Sequence, residues 1–209
     1  FYAVVCASEL RPRSAVLALA ERLFDQDFGV RATAIEALAG YPLQELDAAL
    51  ARARGAVRAS DPEVVGAAAA ALVALGDTDA VPDLIGVVER ADRAGEHARR
   101  ALVSLTAQDF GPSERKWRRW YEVARRRHRI EWLIDGLSHK DDPVREIAIN
   151  DLRRLTGEYF GYHHDLPRRE RELAALRWTN WWHDVGQRRF VQHDDERQRP
   201  TGILPSRHD

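Results

Sequence analysis

The chain has 209 residues, enough for one sizeable domain or two small ones with a buried core. Its 32 basic and 33 acidic residues leave a net charge of -1, which excludes a global pull toward nucleic acid or anionic membrane. A single cysteine, Cys6, excludes an internal disulfide framework and a cysteine-only zinc site, and no apolar run approaches the ~20 residues of a membrane helix.

Strand signals are scarce, whereas helical periodicity runs through the chain. Residues 1–10 read as the second helix of a preceding repeat, with Leu10 and Tyr2 on its inner face and Cys6 as a small core residue. The chain begins on Phe1 and has no methionine, so the expectation is a fragment without its native N-terminus or any signal peptide. Val16, Leu17, Leu19, Ala20, Leu23 and Phe24 then form an apolar stripe before the turn Asp25-Gln26-Asp27, and Val30, Ala34, Ile35 and Leu38 form a second before Gly40. The unit repeats. Leu43, Leu46, Leu50 and Val57 precede Ser60-Asp61-Pro62, a capping turn, and Val64 to Leu75 follow it. Val81, Leu84, Ile85 and Val88 open a third unit that ends with Ala94 to Leu105. Trp132, Leu133, Ile134 and Leu137 open a fourth, with Asp141-Asp142-Pro143 as its turn and Val144 to Leu155 as its second helix.

Alignment of the second helices makes the repeat explicit. Leu38, Leu72, Leu102 and Leu152 stand in register; four residues earlier come Ala34, Ala68, Ala98 and Ala148, and eight earlier Val30, Val64, Ala94 and Val144. Steps of four place all three on one helix face, with the alanine permitting close helix approach. Such a pair cannot bury its face alone, so stacked neighbours must supply the core. Arg31 and Arg145, beside the repeat valines, are expected to pair with turn carboxylates of a neighbouring unit.

Helix pairs of this length with Asp141-Asp142-Pro143-Val144-Arg145-Glu146-Ile147-Ala148 resemble HEAT repeats, including their PBS-lyase-like members. Phe28-Gly29-Val30-Arg31-Ala32-Thr33-Ala34 and Asp61-Pro62-Glu63-Val64-Val65 are similar, while Ala94-Gly95-Glu96 departs from the pattern. The resemblance implies an all-α, right-handed α-solenoid. The expected units are about 11–40, 41–76, 77–107 and 130–157, with tryptophan helices at about 112–128 and 166–186 and a loose tail over 190–209.

Composition changes after Ala107: 27 of 31 alanines lie at or before it, and all six tryptophans lie between Trp117 and Trp182. The added segments are themselves duplicated. Leu105-Thr106-Ala107-Gln108-Asp109-Phe110-Gly111 recurs as Leu155-Thr156-Gly157-Glu158-Tyr159-Phe160-Gly161, followed by Trp117-x-x-Trp120-Tyr121 and Trp178-x-x-Trp181-Trp182 respectively. This cassette resembles HEAT-repeat proteins of myxobacteria-like, GC-rich genomes. Two indoles three residues apart share a helix face and read as packing anchors, with exposed binding hot spots as the alternative. Phe-Gly is expected to end each preceding helix, with Gly111 and Gly161 at positive φ.

Three chemistries were weighed. Residues 114–129, ERKWRRWYEVARRRHR, interleave Arg115, Lys116, Arg118, Arg119, Arg125, Arg126 and Arg127 with aromatics, a pattern that can contact phosphates and stack on unpaired bases. The HEAT-like DNA glycosylases for alkylated bases make this worth stating, but no motif assigns their catalytic carboxylate. His163, His164, Asp165, His183 and Asp184 could ligate a metal, yet no helical pair of histidines four apart fixes two ligands. The repeated His-Glu dipeptides of the di-iron deoxyhypusine hydroxylases are missing, a biliprotein lyase-like role rests on fold alone, and no nucleophile or phosphate-loop motif occurs. The turn aspartates Asp25, Asp27, Asp61, Asp77, Asp92 and Asp142 read as caps. The resulting expectation is a cytoplasmic, non-catalytic scaffold without cofactor or metal, binding a protein partner on a concave helical surface. Nucleic-acid binding through residues 115–129 is the alternative.

Overall fold

The computed structural model describes residues 14–190, and the expectations for Cys6, Leu10 and Tyr2 lie outside them. The tail expected from residue 190 lies outside them too, except that Phe190 itself packs against Trp181 and Trp182. No strand occurs among the described residues. The chain divides after Trp132 into two compact units.

The first unit contains α1 (Ala15–Arg22), α2 (Phe28–Ala39), α3 (Asp47–Ala56), α4 (Pro62–Ala74), α5 (Val81–Ile85), α6 (Arg93–Thr106) and α7 (Glu114–Ala124). Consecutive helices pair as α1 with α2, α3 with α4, and α5 with α6. Neighbouring pairs then stack: α1 packs on α3, α2 on α4, and α4 on α6. The aligned residues explain the stacking. Leu38, Leu72 and Leu102 are wholly buried in one core cluster, and so are Ala34, Ala68 and Ala98. Each such leucine contributes about 1.5–3 kcal/mol by burial, and each alanine lets the next helix approach closely. Leu17, read as part of the first stripe, points outward and is exposed.

Aspartates start the second helices. Asp27, Asp61 and Asp92 accept hydrogen bonds from the backbone N–H groups of Val30, Glu63 and Ala94 at 3.1, 2.9 and 3.0 Å. The departure of the third unit has a steric cause: a Cβ on Gly95 would lie 2.1 Å from the Arg90 carbonyl oxygen. Only glycine permits that approach at the start of α6.

Arg31 does not pair with a neighbouring unit; it donates to the carbonyls of Asp25 and Gln26 in its own turn. Arg145 likewise meets a carboxylate only in its own turn, Asp142, and otherwise donates to backbone carbonyls. Other arginines carry the inter-repeat ladder. Arg54 forms two 2.6 Å bonds with the buried Asp77 carboxylate, Arg58 reaches Asp83 at 2.5 Å, and Arg90 donates to the carbonyls of Ala59 and Ser60. The forked guanidinium matches the planar carboxylate, and Asp77 holds the Arg54 pKa above its ordinary value.

Helix α8 (Arg129–Gly136) contains the division between the units. The second unit continues with α9 (Asp142–Thr156) and α10 (Arg168–Trp181), which widens into a π-turn over Trp182–Gly186. Leu152 and Ala148 are wholly buried here as well. The buried Arg145 guanidinium donates to the carbonyls of His139, Lys140 and His164 and to the Asp142 carboxylate, tying the segment before α10 to the turn before α9.

The duplicated segment is a C-cap device. Thr106 and Thr156 each donate to the carbonyl four residues back at 2.7 Å, and each hydroxyl accepts the N–H two residues on. The helices end at Ala107 (φ 51°) and Gly157 (φ 72°), not at the Phe-Gly pairs. Gly111 and Gly161 do adopt positive φ, but as bends in the connection that follows.

Two glycines separate steric from conformational cost. Gly95→Ala is expected to lower the unfolding free energy by about 1–3 kcal/mol, because backbone must move to admit the methyl. Gly55→Ala, in α3 with nothing within 4 Å of its added Cβ, is expected to raise it by about 0.5–1 kcal/mol. Urea titrations of the two variants measure both effects; a neutral Gly95→Ala would contradict the close approach.

Candidate functional site

The stacked second helices leave one broad recess in the first unit. The face that buries Leu38, Leu72 and Leu102 is opposed on each helix by an outer face. On α2 this face presents Phe28, Ala32, Ile35 and Glu36; on α4 it presents Gly66, Ala67, Ala70 and Ala74; on α6 it presents His97, Arg100 and Ser104. A recess of about 550 Å³ lies between α2 and α4, and another of about 340 Å³ between α4 and α6. Gly66, Ala70, Ala74 and His97 line both, so the two form one groove across three helices.

Its floor is small and apolar, and its rim carries charge. Phe28 stands 75% exposed at one end, with the Arg31 guanidinium 5.6 Å from its ring. Glu63 is paired with Arg93 at 2.8 Å. Glu36 makes no ion pair with any described residue, and Arg100 contacts only the Nδ1 of His97, at 3.2 Å. Since a guanidinium only donates, Nδ1 is the acceptor and the neutral ring carries its proton on Nε2. That nitrogen is buried without a partner over Gly66, where a Cβ would come within 2.9 Å of it. Burial first, then the Arg100 charge, push the His97 pKa below its ordinary 6.5, with Arg93 adding to the effect and Glu63 and Glu96 opposing it.

The basic segment folds as α7, which packs on α5 in the layer of first helices. Trp117 is wholly buried, and its Nε1 donates to the Gly111 carbonyl at 2.9 Å. Phe110, Trp117 and Trp120 form an interlocked cluster, closed by Trp132 at 5.4 Å from Trp120. These rings are consumed in packing and are not free to stack on bases. The second cassette reproduces the arrangement: Phe110–Trp117 and Phe160–Trp178 meet edge-on at 4.9 and 4.7 Å, and Trp117–Trp120 and Trp178–Trp181 at 5.9 and 5.7 Å. One bond differs, since the buried Nε1 of Trp178 has no acceptor.

The cations named from sequence face outward on or just after α7. Arg118 pairs with Glu114, Arg125 with Glu122 and Arg127 with Glu131, at 2.6, 3.2 and 3.1 Å. Arg115, Lys116, Arg119 and Arg126 are exposed and have no carboxylate partner among the described residues. The histidine candidates do not converge. His163 meets the Tyr159 hydroxyl at 2.8 Å, His164 meets Asp142 at 3.0 Å, and His183, Asp184 and Asp165 are exposed. Among the described residues no three or more His, Cys, Asp or Glu side chains gather around a common point. No described helix is long and apolar enough to cross a membrane.

Sequence reasoning found the groove's layer but not its residues. The signal was available in the leucine register: two residues before each leucine stand Glu36, Ala70 and Arg100, and all three are exposed.

Two measurements probe these sites. The lowered His97 pKa means that the unfolded chain binds the proton more readily, so stability falls as pH drops below about 6.5. Urea titrations at pH 7 and pH 5 should show a smaller acid loss for His97→Gln than for the wild type; equal losses would contradict the buried neutral ring. In the clusters, Trp117→Phe loses an indole hydrogen bond and Trp178→Phe does not, so the first is expected to cost about 1 kcal/mol more. Denaturant midpoints and slopes of the two variants give that difference.

Residues 16–105 match the family description of HEAT repeats. No curated protein and no solved structure matches the chain. The repeat match coincides with the helices whose leucines and alanines form the stacked core, and residues 16–105 are a stretch of HEAT repeats.

Proposed function

We propose that the chain is a non-catalytic cytoplasmic scaffold whose second helices dock a protein partner. The observation that carries this reading is the groove across α2, α4 and α6: an apolar floor that spans three repeats, with an exposed Phe28 at one end. Exposed apolar area framed by charge is characteristic of protein interfaces, and stacked repeats present such surfaces along their length. The polar groups within the groove serve packing or rim charge, and none is paired with a second group as a nucleophile with its base would be.

Ala70 is exposed on the groove floor, so a long cation there blocks the surface without disturbing the core. With the chain as bait in extracts of its source cells, quantitative mass spectrometry should recover a partner on the wild type and on Arg119→Glu. The partner should be lost on Ala70→Arg. Recovery that is indifferent to Ala70→Arg would place the interaction elsewhere.

A second reading has one observation in its favour, the four unpaired cations on and beside α7. They lie opposite the buried tryptophans and suit phosphate contacts rather than base stacking. If duplex DNA is the ligand, a plot of log affinity against log salt should have a slope of about -3 to -4, reduced by Arg115→Glu and Arg119→Glu. A flat salt dependence would remove this reading.

A further inference from the structure

We propose that the segment received by the groove is an amphipathic helix of defined charge polarity: an acidic residue near its N-terminus above Arg100, and a basic residue three turns later above Glu36. The proposal rests on the protein-docking reading and names the partner's chemistry. Glu36, Ala70 and Arg100 occupy the same register position on three successive second helices, and all three are exposed. Neither charge has an opposite partner among the described residues. The groove therefore offers at one end the Glu36 carboxylate, beside an Arg31 held by the Asp25 and Gln26 carbonyls, at the other the Arg100 guanidinium, and a methyl between them.

Spacing sets the partner's period. Packed helices lie about 8–10 Å apart, so the two charges stand about 16–20 Å from each other. An α-helix covers about 16.5 Å in eleven residues, and positions i, i+4, i+7 and i+11 share one face. Charges at i and i+11 then meet Arg100 and Glu36, and apolar side chains at i+4 and i+7 fill the recesses beside Gly66 and Ala70. An extended segment fits less well. The groove floor is helical, with its backbone hydrogen bonds already made, so it has no free N–H or C=O groups to offer a strand, whereas a helix satisfies its own. Polarity follows from the partner's dipole, which favours an acidic residue in the first turn and a basic one in the last. The exposed Phe28 ring lies at the Glu36 end, where the partner's last turn covers it.

Two capped, fluorescein-labelled helical peptides of about eighteen residues test this by anisotropy against the whole chain. One has glutamate at its third position, leucines at the seventh and tenth, and lysine at the fourteenth; the other has lysine at both the third and the fourteenth. The first is expected to bind about tenfold more tightly. In the variant Arg100→Glu the preference should reverse. Far-UV circular dichroism confirms that each variant is folded. Equal affinities, a preference that survives Arg100→Glu, or no binding of either peptide to the wild type would overturn the proposed charge pattern. Ala70→Arg separates the two levels of inference. If it abolishes binding while both peptides bind the wild type equally, the groove stands and the charge assignment falls. If it leaves binding unchanged, the groove itself falls.

Discussion

The stacking of the first unit depends on one seam, the buried face to which successive second helices contribute a leucine and an alanine. Leu38, Leu72 and Leu102 are wholly buried, as are Ala34, Ala68 and Ala98. A helix that spends this face on its neighbours has no other source of comparable burial, so no repeat is stable alone. Because the seam carries the second helices, the first helices vary. Helix α5 has shrunk to five residues, yet its unit remains anchored to the one before through Arg54 on Asp77 and Arg58 on Asp83. The Asp77 carboxylate is buried, so that pair sits where solvent screens it little, unlike the exposed Arg93–Glu63 pair.

The helices and their inner faces were legible because a period near four is imposed by burial and leaves its mark in residue type. Capping was legible in part: Asp27, Asp61 and Asp92 act as expected, whereas Asp142, also read as a cap, lies inside its helix and pairs with Arg145 and His164. Several local readings failed, and two of them have a visible cause. Phe-Gly looked like a helix stop, but the threonine four residues earlier diverts the backbone first, by bonding the i-4 carbonyl and the i+2 N–H. Arg31 looked like a rung between repeats, yet its guanidinium reaches the Asp25 and Gln26 carbonyls in the turn before its own helix. Sequence gives charge and spacing; it does not say which acceptor a flexible guanidinium reaches. The groove was illegible for a different reason. Its floor is alanine and glycine, and an exposed alanine has the same letter as a buried one.

The two aromatic cassettes show how far duplication constrains geometry. Ring separations agree within a few tenths of an ångström although the second cassette carries extra residues before its tryptophans. Edge-on contacts between a phenyl ring and two indoles fix the cluster, and the connecting chain adapts to it. Polar detail is less constrained than the rings. Trp117 bonds Gly111, whereas the Trp178 nitrogen finds no acceptor, and the nearby Phe160 carbonyl is taken by Arg177. Packing was conserved between the copies and hydrogen bonding was not, as expected when burial supplies most of the energy and one indole bond about 1 kcal/mol.

Within the first unit the layers carry different electrostatics, and this bears on what each can recognise. The second-helix layer ends its groove with charges of opposite sign, Glu36 and Arg100, whereas the charges left unpaired on and just after α7, on the first-helix layer, are all cations among the described residues. A surface of one sign attracts any polyanion and raises encounter rates without fixing orientation. A bipolar groove gains little long-range attraction, because its charges cancel at a distance, but it penalises a ligand bound in reverse. On the proposed readings, directional recognition belongs to the groove and non-directional attraction to α7. The two surfaces need not compete: a partner with an acidic approach face could be drawn toward the cations and still be oriented only by the groove.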